Sequence, residues 1–378
     1  MRRSRDESQE NLVQMREGAC KMINDLVRPE LRKLTPYVSH EVPFRVKLDA
    51  NESPFELPQK IREKLADYFV KGPGLNLYPD NESVSLRRAL ADYWSVDHDG
   101  IVVGTGSNQL IQMIITVFVG KGDRVVIPCP TFSMYKINTI IAGGIPVEVP
   151  LLKEKDFALD ADAFIDTVNK QGAKVAFLCN PNNPTGGLIS IEDIEKVAAK
   201  CTGTIVVVDE AYAEFCEQSA IPLIEKYENL VALRTFSKAY LLAGARCGYS
   251  ISNIAVSKEI NKIRPTFNLS SLTQLIAKMV FDEREEVEKM IGYLKDQREY
   301  LFEELKKFKN VYVYPSWANY ILIRVQEAKE ISCKLYEKGV LIRSFSDDSA
   351  LSDCIRVSVG TKEQNDIFLE ELRSVMKY

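Results

Sequence analysis

Short runs of apolar residues, rich in valine and isoleucine, recur through the middle of the chain, with stretches of helical spacing between them. The runs occupy residues 101–104, 124–128, 174–179, 204–210, 230–235 and 246–252. Strands without polar interruptions are typical of a sheet that is covered on both faces, because neither face of such a strand meets water. The pattern therefore predicts an α/β fold with a three-layer, mostly parallel sheet covered by helices. In such sheets, ligands bind beyond the carboxyl ends of the strands.

The region after residue 270 follows a different pattern. Residues 271–308 predict a long helical stretch, and strand-like runs then follow with fewer helices between them. These runs occupy residues 319–325, 339–345 and 354–360, and an earlier run of the same kind lies at residues 44–49. Strands with few intervening helices are typical of a smaller α+β unit. The predicted domains are a large one over residues 71–270 and a small one formed by residues 34–70 and 271–378.

Residues 1–33 are polar, with acidic and basic side chains interleaved and apolar side chains at helical spacing. Pro29 is expected to end or kink this helix, because proline lacks a backbone N–H and clashes with the preceding turn. We predict an N-terminal helical arm over residues 1–33 that packs on the body of the protein.

Composition and charge exclude several classes of protein. Hydrophobic residues make up 46% of the 378 residues and charged residues 27%, which is typical of a globular chain and excludes wholesale disorder. The formal net charge of −4, from 49 basic and 53 acidic residues, indicates no binding of nucleic acid or of an anionic membrane. No apolar run is long enough for a transmembrane helix, and no apolar segment follows the basic N-terminus as in a secretory signal. We therefore expect a cytoplasmic protein.

The eight cysteines are spread between Cys20 and Cys354, with no close pair among them. That spacing fits neither a zinc site nor a small disulfide scaffold, so we expect free thiols in a reducing compartment and no bound metal.

Polar side chains follow several of the predicted strands. The candidates are Asn183, Asp209, Tyr212, Ser237, Lys238 and Arg246. Asn183 belongs to a turn with the sequence NPNNPTG, in which two prolines and a glycine restrict the backbone. Each of these residues has an ordinary structural explanation when taken alone, such as a helix cap or a solvated surface side chain. Together they bring an amide, a carboxylate, a phenol, an amine and a guanidinium to one edge of the sheet.

A glycine-rich turn precedes the first long helix of this region. Gly104 and Gly106 follow the first strand, and Ser107 and Asn108 stand at the predicted start of the helix. Free backbone N–H groups and the helix dipole favour an anion at such a position. Many strand–helix turns share this pattern, so the turn is weak evidence by itself.

One ligand, pyridoxal 5′-phosphate, requires this whole set of groups. Its aldehyde needs an amine, for which Lys238 is the candidate, and its ring nitrogen needs a carboxylate, which Asp209 supplies. Asn183 and Tyr212 are the candidates for its 3′-oxygen. The expected ligands of its phosphate are Ser107, Asn108, Ser237 and Arg246.

The motifs that carry these residues resemble a known family. NPNNPTG, VVVDEAY and RTFSKAYLLAGARCGY are similar to the signatures of fold-type I, aspartate-aminotransferase-like PLP enzymes. YPD at residues 78–80, CPTFSMY at residues 129–135 and LRTFSKA most resemble histidinol-phosphate aminotransferases. The resemblance covers roughly residues 35–375. It implies a transamination between histidinol phosphate and 2-oxoglutarate that gives imidazole acetol phosphate and L-glutamate, as in histidine biosynthesis.

The resemblance also implies roles at further positions. Phe132 matches an aromatic side chain that stacks on the cofactor ring, and Asn51 matches a residue of the substrate pocket. Tyr78 matches a residue that reaches the cofactor phosphate of the partner subunit, which implies a homodimer with shared active sites. The residues that match the substrate-phosphate site are Tyr37, Arg343 and Arg356. A guanidinium binds either a phosphate or a carboxylate in a bidentate manner, so an arginine pair suits both substrates of a transaminase.

Some positions depart from the family pattern and keep alternatives open. Leu241 stands where the family has glycine, and Glu56 stands where glycine is common. An aromatic or broad-specificity aminotransferase would use Arg356 for a carboxylate, and a phosphothreonine decarboxylase would keep the phosphate site. A PLP-binding protein without turnover conflicts with the competent residue at every matched catalytic position. A dinucleotide-binding oxidoreductase conflicts with the missing third glycine after Gly106.

Overall fold

The structure is a computed structural model that describes residues 23–36, 42–72, 74–345 and 350–376. The strands are β1 (Val46–Lys47), β2 (Ile101–Gly104), β3 (Arg124–Cys129), β4 (Ile145–Pro150), β5 (Val175–Cys179), β6 (Ile205–Asp209), β7 (Leu230–Thr235), β8 (Gly248–Ser252), β9 (Val311–Val313), β10 (Tyr320–Val325), β11 (Val340–Leu341), β12 (Arg343–Ser344) and β13 (Cys354–Ser358). The α-helices are α1 (Gln59–Val70), α2 (Val84–Trp94), α3 (Ser107–Phe118), α4 (Met134–Ile141), α5 (Ala161–Gln171), α6 (Ile191–Lys200), α7 (Ile254–Asn261), α8 (Ser271–Asp282), α9 (Arg284–Lys306), α10 (Ala328–Glu337) and α11 (Lys362–Val375). Short 3-10 helices lie at Pro29–Leu31, His98–Gly100, Lys153–Lys155, Ala213–Phe215 and Ile221–Leu223.

A seven-stranded sheet with the order β2-β8-β7-β6-β5-β3-β4 forms the centre of the molecule. The pairs β3–β4, β3–β5, β5–β6 and β6–β7 are parallel, and β8 runs antiparallel to both β2 and β7. The predicted α/β fold with a mostly parallel sheet is therefore confirmed. Because β8 is reversed, its start lies at the same edge as the carboxyl ends of its neighbours.

Successive residues of the central strands enter opposite hydrophobic cores. Val206 and Val208 of β6 belong to one cluster of buried side chains, whereas Val207 belongs to the other. This arrangement explains the uninterrupted apolar runs, since both faces of these strands are covered. Strand β4 was not predicted, because prolines at both of its ends and partly exposed side chains hide the pattern. It lies at the edge of the sheet, where prolines are tolerated.

A second sheet has the order β12-β13-β10-β9, and all of its strand pairs are antiparallel. The predicted strand at residues 339–345 is two short strands that pair with different partners. Strand β11 pairs with β1 in parallel, and β12 pairs with β13. The predicted helical stretch 271–308 is divided at Glu283 into α8 and α9. The domain boundaries themselves stay a prediction.

The part of the N-terminal arm that the structure describes lies against α4. Residues 23–26 are helical, and Pro29 begins a separate 3-10 turn, as expected of a proline that ends a helix. The Arg28 guanidinium donates a hydrogen bond to the carbonyl of Ile141, at the end of α4. The remainder of the predicted arm, residues 1–22, lies outside the described residues. None of the helices described in the structure combines the length and the apolar character that a membrane span requires.

Candidate active site

The carboxyl ends of five strands and the start of β8 bring the predicted site residues to one edge of the large sheet. Asp209 ends β6 and has Cys179, the last residue of β5, as its register partner. On its other side, Asp209 pairs with Leu233 of β7, and Lys238 follows shortly after that strand. Arg246 lies two residues before the start of β8. The sheet order therefore confirms that the strands carrying these residues are neighbours.

Asp209 is a buried carboxylate, and its side chain is only 3% exposed. Its Oδ2 accepts a hydrogen bond from the Tyr135 hydroxyl at 2.7 Å, and its Oδ1 accepts one from the backbone N–H of Ala211 at 3.2 Å. Burial raises the pKa of the Asp209 carboxyl to about 6, although both hydrogen bonds oppose that shift. Above pH 6 the site therefore holds a buried negative charge with no cationic partner among its hydrogen bonds, which suits a protonated ring nitrogen.

Lys238 is a largely buried amine on the far side of β7. Its Nζ donates a hydrogen bond to the backbone carbonyl of Ala50 at 2.8 Å. Burial lowers the pKa of Lys238 to about 8, and the Arg356 guanidinium shifts it in the same direction. A lysine with a pKa of about 8 is neutral in a substantial fraction of molecules near neutral pH, which is what a nucleophile or a general base requires.

Tyr212 and Asn51 join the strand-end residues to the second sheet. The Tyr212 hydroxyl accepts a hydrogen bond from Asn51 Nδ2 at 3.0 Å. Asn51 has a φ of 54°, and the Ser358 hydroxyl bonds both its backbone N–H (2.9 Å) and its Oδ1 (3.2 Å). Asparagine tolerates this left-handed conformation better than most residues. Burial raises the pKa of Tyr212 to about 12, so its hydroxyl remains a hydrogen-bond donor over the working pH range.

Arg356 spans the two sheets with a buried guanidinium that is 8% exposed. Its Nη1 donates to Asn183 Oδ1 and its Nη2 donates to the carbonyl of Asp49, both at 2.6 Å. The guanidinium also lies 5.2 Å from the centre of the Tyr320 ring. Its Nε has no hydrogen-bond partner among the described residues, and none of the ion pairs found in that part of the chain involves Arg356. A buried cation whose described contacts are all neutral is suited to an anionic substrate group.

The glycine-rich turn and Arg246 form a cradle at the start of α3. A side chain at Gly106 would place its Cβ 2.7 Å from Arg246 Nη2, and one at Gly248 would lie 2.5 Å from the Ser107 backbone nitrogen. Arg246 Nη1 donates to the Ser237 hydroxyl at 3.2 Å. Helix α3 begins beside this cradle, and no side chain caps the backbone N–H groups of its first turn. These groups together suit a phosphate.

The other sequence-predicted residues occupy different parts of this region. Phe132 is half-buried with its ring edge-on to Tyr135, and Asn108 is exposed on the first turn of α3. Arg343 is the register partner of Arg356 on neighbouring strands, so two guanidiniums stand on adjacent strands. Tyr78 is 82% exposed and stacks on Phe267, with ring centres 4.4 Å apart. Tyr37 lies outside the described residues.

Leu241, noted in the sequence as a departure from the family pattern, has a left-handed backbone conformation. Its φ is 64°, in the left-handed region that costs an L-residue about 1–2 kcal/mol. The chain accepts this conformation because the Leu241 side chain packs against the main hydrophobic core.

Tyr135 was missed as a site residue by the sequence analysis. It belongs to the same CPTFSMY segment as Phe132, but an aromatic side chain at a helical position is usually a core residue. Only the tertiary structure shows that its hydroxyl reaches Asp209. The carbonyl of Ala50, which holds Lys238, was missed for the same reason, since no sequence pattern marks a backbone acceptor.

The observed groups fit pyridoxal 5′-phosphate. Lys238 would hold the aldehyde, Asp209 the ring nitrogen, and Asn183 with Tyr212 the 3′-oxygen. The cradle at Gly106, with Arg246 and Ser237, offers donors and positive charge without a side chain in the way. No acidic residue among the described contacts of Arg246 or Ser237 opposes an anion there.

Solved structures of related proteins share this architecture. The crystal structure of histidinol-phosphate aminotransferase from Sinorhizobium meliloti, in complex with pyridoxal-5′-phosphate, matches with a TM-score of 0.83 and 25% identity, covering 92% of this chain and 98% of that chain. The crystal structure of L-threonine-O-3-phosphate decarboxylase from Porphyromonas gingivalis has a TM-score of 0.76 and 24% identity, covering 88% of this chain and 100% of that chain. The fold is therefore common to enzymes with different reactions.

Sequence comparison identifies the family. The histidinol-phosphate aminotransferase of Ruminiclostridium cellulolyticum is 50% identical over 354 residues, which cover 94% of this chain and 99% of that protein. A family model described as aminotransferase class I and II matches residues 45–372. Because these matches extend over nearly the whole described chain and include every residue of the strand-end site, this protein belongs to the aminotransferase class I and II family.

Proposed function

We propose that this aminotransferase uses pyridoxal 5′-phosphate to transfer an amino group from histidinol phosphate to 2-oxoglutarate, giving imidazole acetol phosphate and L-glutamate. Its place would then be in histidine biosynthesis. The relative from Ruminiclostridium cellulolyticum, which is 50% identical and named histidinol-phosphate aminotransferase, supports this substrate. The residues at the strand ends support amino-group transfer with pyridoxal 5′-phosphate.

The observation that carries the choice of substrate is the arginine pair. Arg343 and Arg356 are register partners on β12 and β13, and burial is the main cause that lowers the pKa of Arg356, with the charge of Arg343 acting in the same direction. A guanidinium binds phosphate or carboxylate in a bidentate manner, and a second arginine on the adjacent strand adds positive charge on the same side of the sheet. A phosphate dianion satisfies both, whereas a carboxylate needs only one of them.

Bound pyridoxal 5′-phosphate supplies an electron sink for the bond broken at the substrate's α-carbon. Asp209, ionised above its pKa of about 6, stabilises a positive ring nitrogen and so keeps that sink effective. Tyr212 and Asn183 orient the ring through its 3′-oxygen, and Asn51 and Arg356 hold those two side chains in place.

Lys238 moves the proton in this proposal. Once substrate occupies the site, its Nζ would take the proton from the substrate α-carbon and deliver it to the cofactor carbon that carried the aldehyde, so the lysine ends the half-reaction as it began. The second half-reaction runs the same transfer in reverse. The lowered pKa of about 8 favours this exchange near neutral pH, because neither protonation state is strongly preferred. Asp49, through its carbonyl, and Asn183 hold the Arg356 guanidinium so that it orients the anionic substrate.

We also propose a homodimer with shared active sites and a cytoplasmic location. Leu75, Leu77, Tyr78 and Phe267 form an exposed apolar patch, with Leu77 at 70% and Tyr78 at 82% exposure. A cluster of exposed large apolar side chains marks an interaction surface. The cytoplasmic location rests on the sequence and on the free thiols of the described cysteines.

The test is a steady-state assay of the purified enzyme with histidinol phosphate and 2-oxoglutarate, beside phenylalanine and phosphothreonine as competing substrates. We expect histidinol phosphate to have the highest kcat/KM and phosphothreonine to release no CO₂. Arg343→Ala should raise the KM for histidinol phosphate by about tenfold or more, because a charge-assisted hydrogen bond is lost. The same variant should leave the KM for glutamate within about threefold.

Arg324→Ala provides the matched control, because Arg324 lies on β10 of the same sheet with its guanidinium over Tyr312. Its kinetic constants should equal those of the unmodified enzyme. A preference for phenylalanine, with no effect of Arg343→Ala on any substrate, would contradict the proposed substrate.

A further inference from the structure

Tyr135 is a buried tyrosine whose hydroxyl hydrogen-bonds the carboxylate of Asp209. The side chain is 0% exposed, and the oxygen–oxygen distance is 2.7 Å. Its ring stacks on Phe177 of β5 with centres 4.4 Å apart and an interplanar angle of 10°. The Phe132 ring contacts Tyr135 edge-on at 5.6 Å. Tyr135 therefore touches both the acid and the aromatic residue that are proposed to hold the cofactor ring.

These contacts restrict the orientation of the Asp209 carboxylate. The backbone N–H of Ala211 binds Oδ1, and Tyr135 binds Oδ2, so rotation of the carboxylate would break both hydrogen bonds. The position of the Tyr135 hydroxyl is itself set by the stacked Phe177 ring within a close-packed core. The geometry that presents Asp209 to a ligand is thus built before any ligand binds.

A phenylalanine would fill this core position equally well, so the hydroxyl needs its own explanation. A buried hydroxyl costs free energy unless it is hydrogen-bonded, and Asp209 is its hydrogen-bond partner here. The hydrogen bond to a charged acceptor is the stronger kind, and it favours the ionised carboxylate.

We propose that Tyr135 is a positioning residue that orients Asp209 and keeps it ionised toward the cofactor's ring nitrogen. This inference rests on the proposed function, since it assumes that Asp209 faces that nitrogen. It assigns a role to the last residue of the CPTFSMY segment, in which the sequence analysis singled out only Phe132.

Other titratable groups lie close to Asp209. They are Cys179, Glu210, Tyr212 and Tyr320, in addition to Tyr135 itself. Burial raises the pKa of Cys179 and of Tyr212 to about 12, so neither group ionises between pH 5 and pH 9. Glu210 is held by Arg234 and is not in hydrogen-bond contact with Asp209. Asp209 is therefore the group of this cluster expected to titrate near pH 6.

The experiment compares the unmodified enzyme with Tyr135→Phe, which keeps the ring and removes the hydroxyl. Cofactor-free protein is titrated with pyridoxal 5′-phosphate and followed by visible absorbance. We expect about tenfold weaker cofactor affinity in the variant, which corresponds to the loss of one hydrogen bond to a charged group. We expect kcat to fall by about tenfold and the KM for histidinol phosphate to stay within about twofold. As the pH is lowered, cofactor affinity should begin to fall at a higher pH in the variant than in the unmodified enzyme, because Asp209 becomes protonated more easily without the Tyr135 hydrogen bond.

Tyr314→Phe is the matched control, since Tyr314 is a buried tyrosine of a separate core cluster whose hydroxyl has no hydrogen-bond partner among the described residues. Its cofactor affinity and kinetics should not change. Thermal unfolding of both variants shows whether the fold persists. If Tyr135→Phe folds normally and matches the unmodified enzyme in affinity, kcat and pH dependence, the inference is wrong. If the unmodified enzyme itself binds no pyridoxal 5′-phosphate, the proposed function fails instead, which separates the two outcomes.

Discussion

Lys238 illustrates how burial tunes a single side chain. It keeps one hydrogen bond, to the carbonyl of Ala50, and exchanges most of its hydration for neighbours that include Arg356. Both effects disfavour the ammonium form. The same environment that makes the amine reactive must therefore destabilise the fold whenever the lysine is protonated.

This cost gives a prediction for the cofactor-free enzyme. The pKa of Lys238 is about 8 in the folded state and near the ordinary value of 10.5 in the unfolded state, so the unfolded state binds more protons between these values. Stability should rise with pH across that window, and the cost is fully present below pH 8. Lys238→Met should raise the free energy of unfolding at pH 7 by up to about 3 kcal/mol, and the gain should shrink toward pH 10. Urea unfolding between pH 6.5 and pH 9.5 measures it.

Lys196→Met serves as the control, because the partly exposed Lys196 pairs with Asp162, and that hydrogen bond raises its pKa. It should show no gain in stability at pH 7. If both variants change the free energy of unfolding by the same amount at each pH, then burial of the Lys238 ammonium does not destabilise the fold, and the prediction is wrong.

At the scale of elements, the strand–turn–helix unit from β2 to α3 forms an anion cradle because its turn carries a glycine with no side chain. Gly106 has a φ of 77°, and its missing Cβ leaves room for the Arg246 guanidinium. Gly106→Ala should displace that guanidinium and weaken pyridoxal 5′-phosphate affinity by about tenfold. The free energy of unfolding should fall by about 1–3 kcal/mol, because the backbone conformation at Gly106, with a ψ of 165°, is essentially restricted to glycine. Absorbance titration and urea unfolding measure the two effects.

Gly244→Ala lies in the neighbouring loop and is the comparison, because a Cβ there would meet no atom within 4 Å. Cofactor affinity should remain unchanged in this variant. Equal losses in both variants would show that loop flexibility, not the space beside Arg246, governs phosphate binding.

A buried ion cluster connects the two strands that carry the acid and the lysine. Arg234 of β7 binds Glu210 and Glu214 at 2.9 Å each, and its guanidinium lies 4.6 Å from the centre of the Trp94 ring. Arg234→Met should lower the free energy of unfolding by about 3–5 kcal/mol, because two buried carboxylates lose their cation. Burial already raises the pKa of Glu214, so the loss should diminish as the pH falls and that carboxyl becomes protonated. Urea unfolding at pH 5.5 and pH 8 measures the difference.

The double variant Arg234→Met with Glu214→Gln tests the electrostatic cause. It removes one of the uncompensated charges and should recover part of the stability at pH 8. No recovery would indicate that the loss comes from packing against Trp94.

At the scale of the whole molecule, the proposed homodimer would place its interface at the apolar patch around Tyr78. Leu77 is 70% exposed beside it, and the stacked pair Tyr78–Phe267 gives the patch a rigid centre. Leu77→Asp should convert the dimer to monomers, because a charge in an apolar interface has no partner there. Pyridoxal 5′-phosphate affinity should fall together with dimerisation, since Tyr78 would no longer reach the partner's site. Sedimentation velocity and absorbance titration measure the two effects.

Tyr336→Asp is the control for this variant, since Tyr336 is a 47% exposed aromatic residue on α10. It should leave the molecule dimeric. A Leu77→Asp variant that remains dimeric would place the interface elsewhere.

Much of the fold was predictable because strands that are buried on both faces appear in the sequence as uninterrupted apolar runs. The apolar runs of β5, β6 and β7 correspond to strands, since the apolar residues of these strands alternate between two cores. Strand β4 was missed because an edge strand is partly exposed and carries prolines. The single run at residues 339–345 concealed two strands, because local pattern does not show which sheet a residue joins.

The sequence by itself determined the strand-end chemistry: which residues follow which strands, and therefore that Asn183, Asp209 and Lys238 meet at one sheet edge. The local hydrophobic pattern shows where each strand ends, and the parallel strands of one sheet bring their carboxyl ends to the same edge. Only the tertiary structure decided which groups tune that chemistry, such as Tyr135 on Asp209 and the Ala50 carbonyl on Lys238. Those contacts join residues far apart in the chain, and burial and hydrogen bonding across such distances depend on packing that no local pattern records.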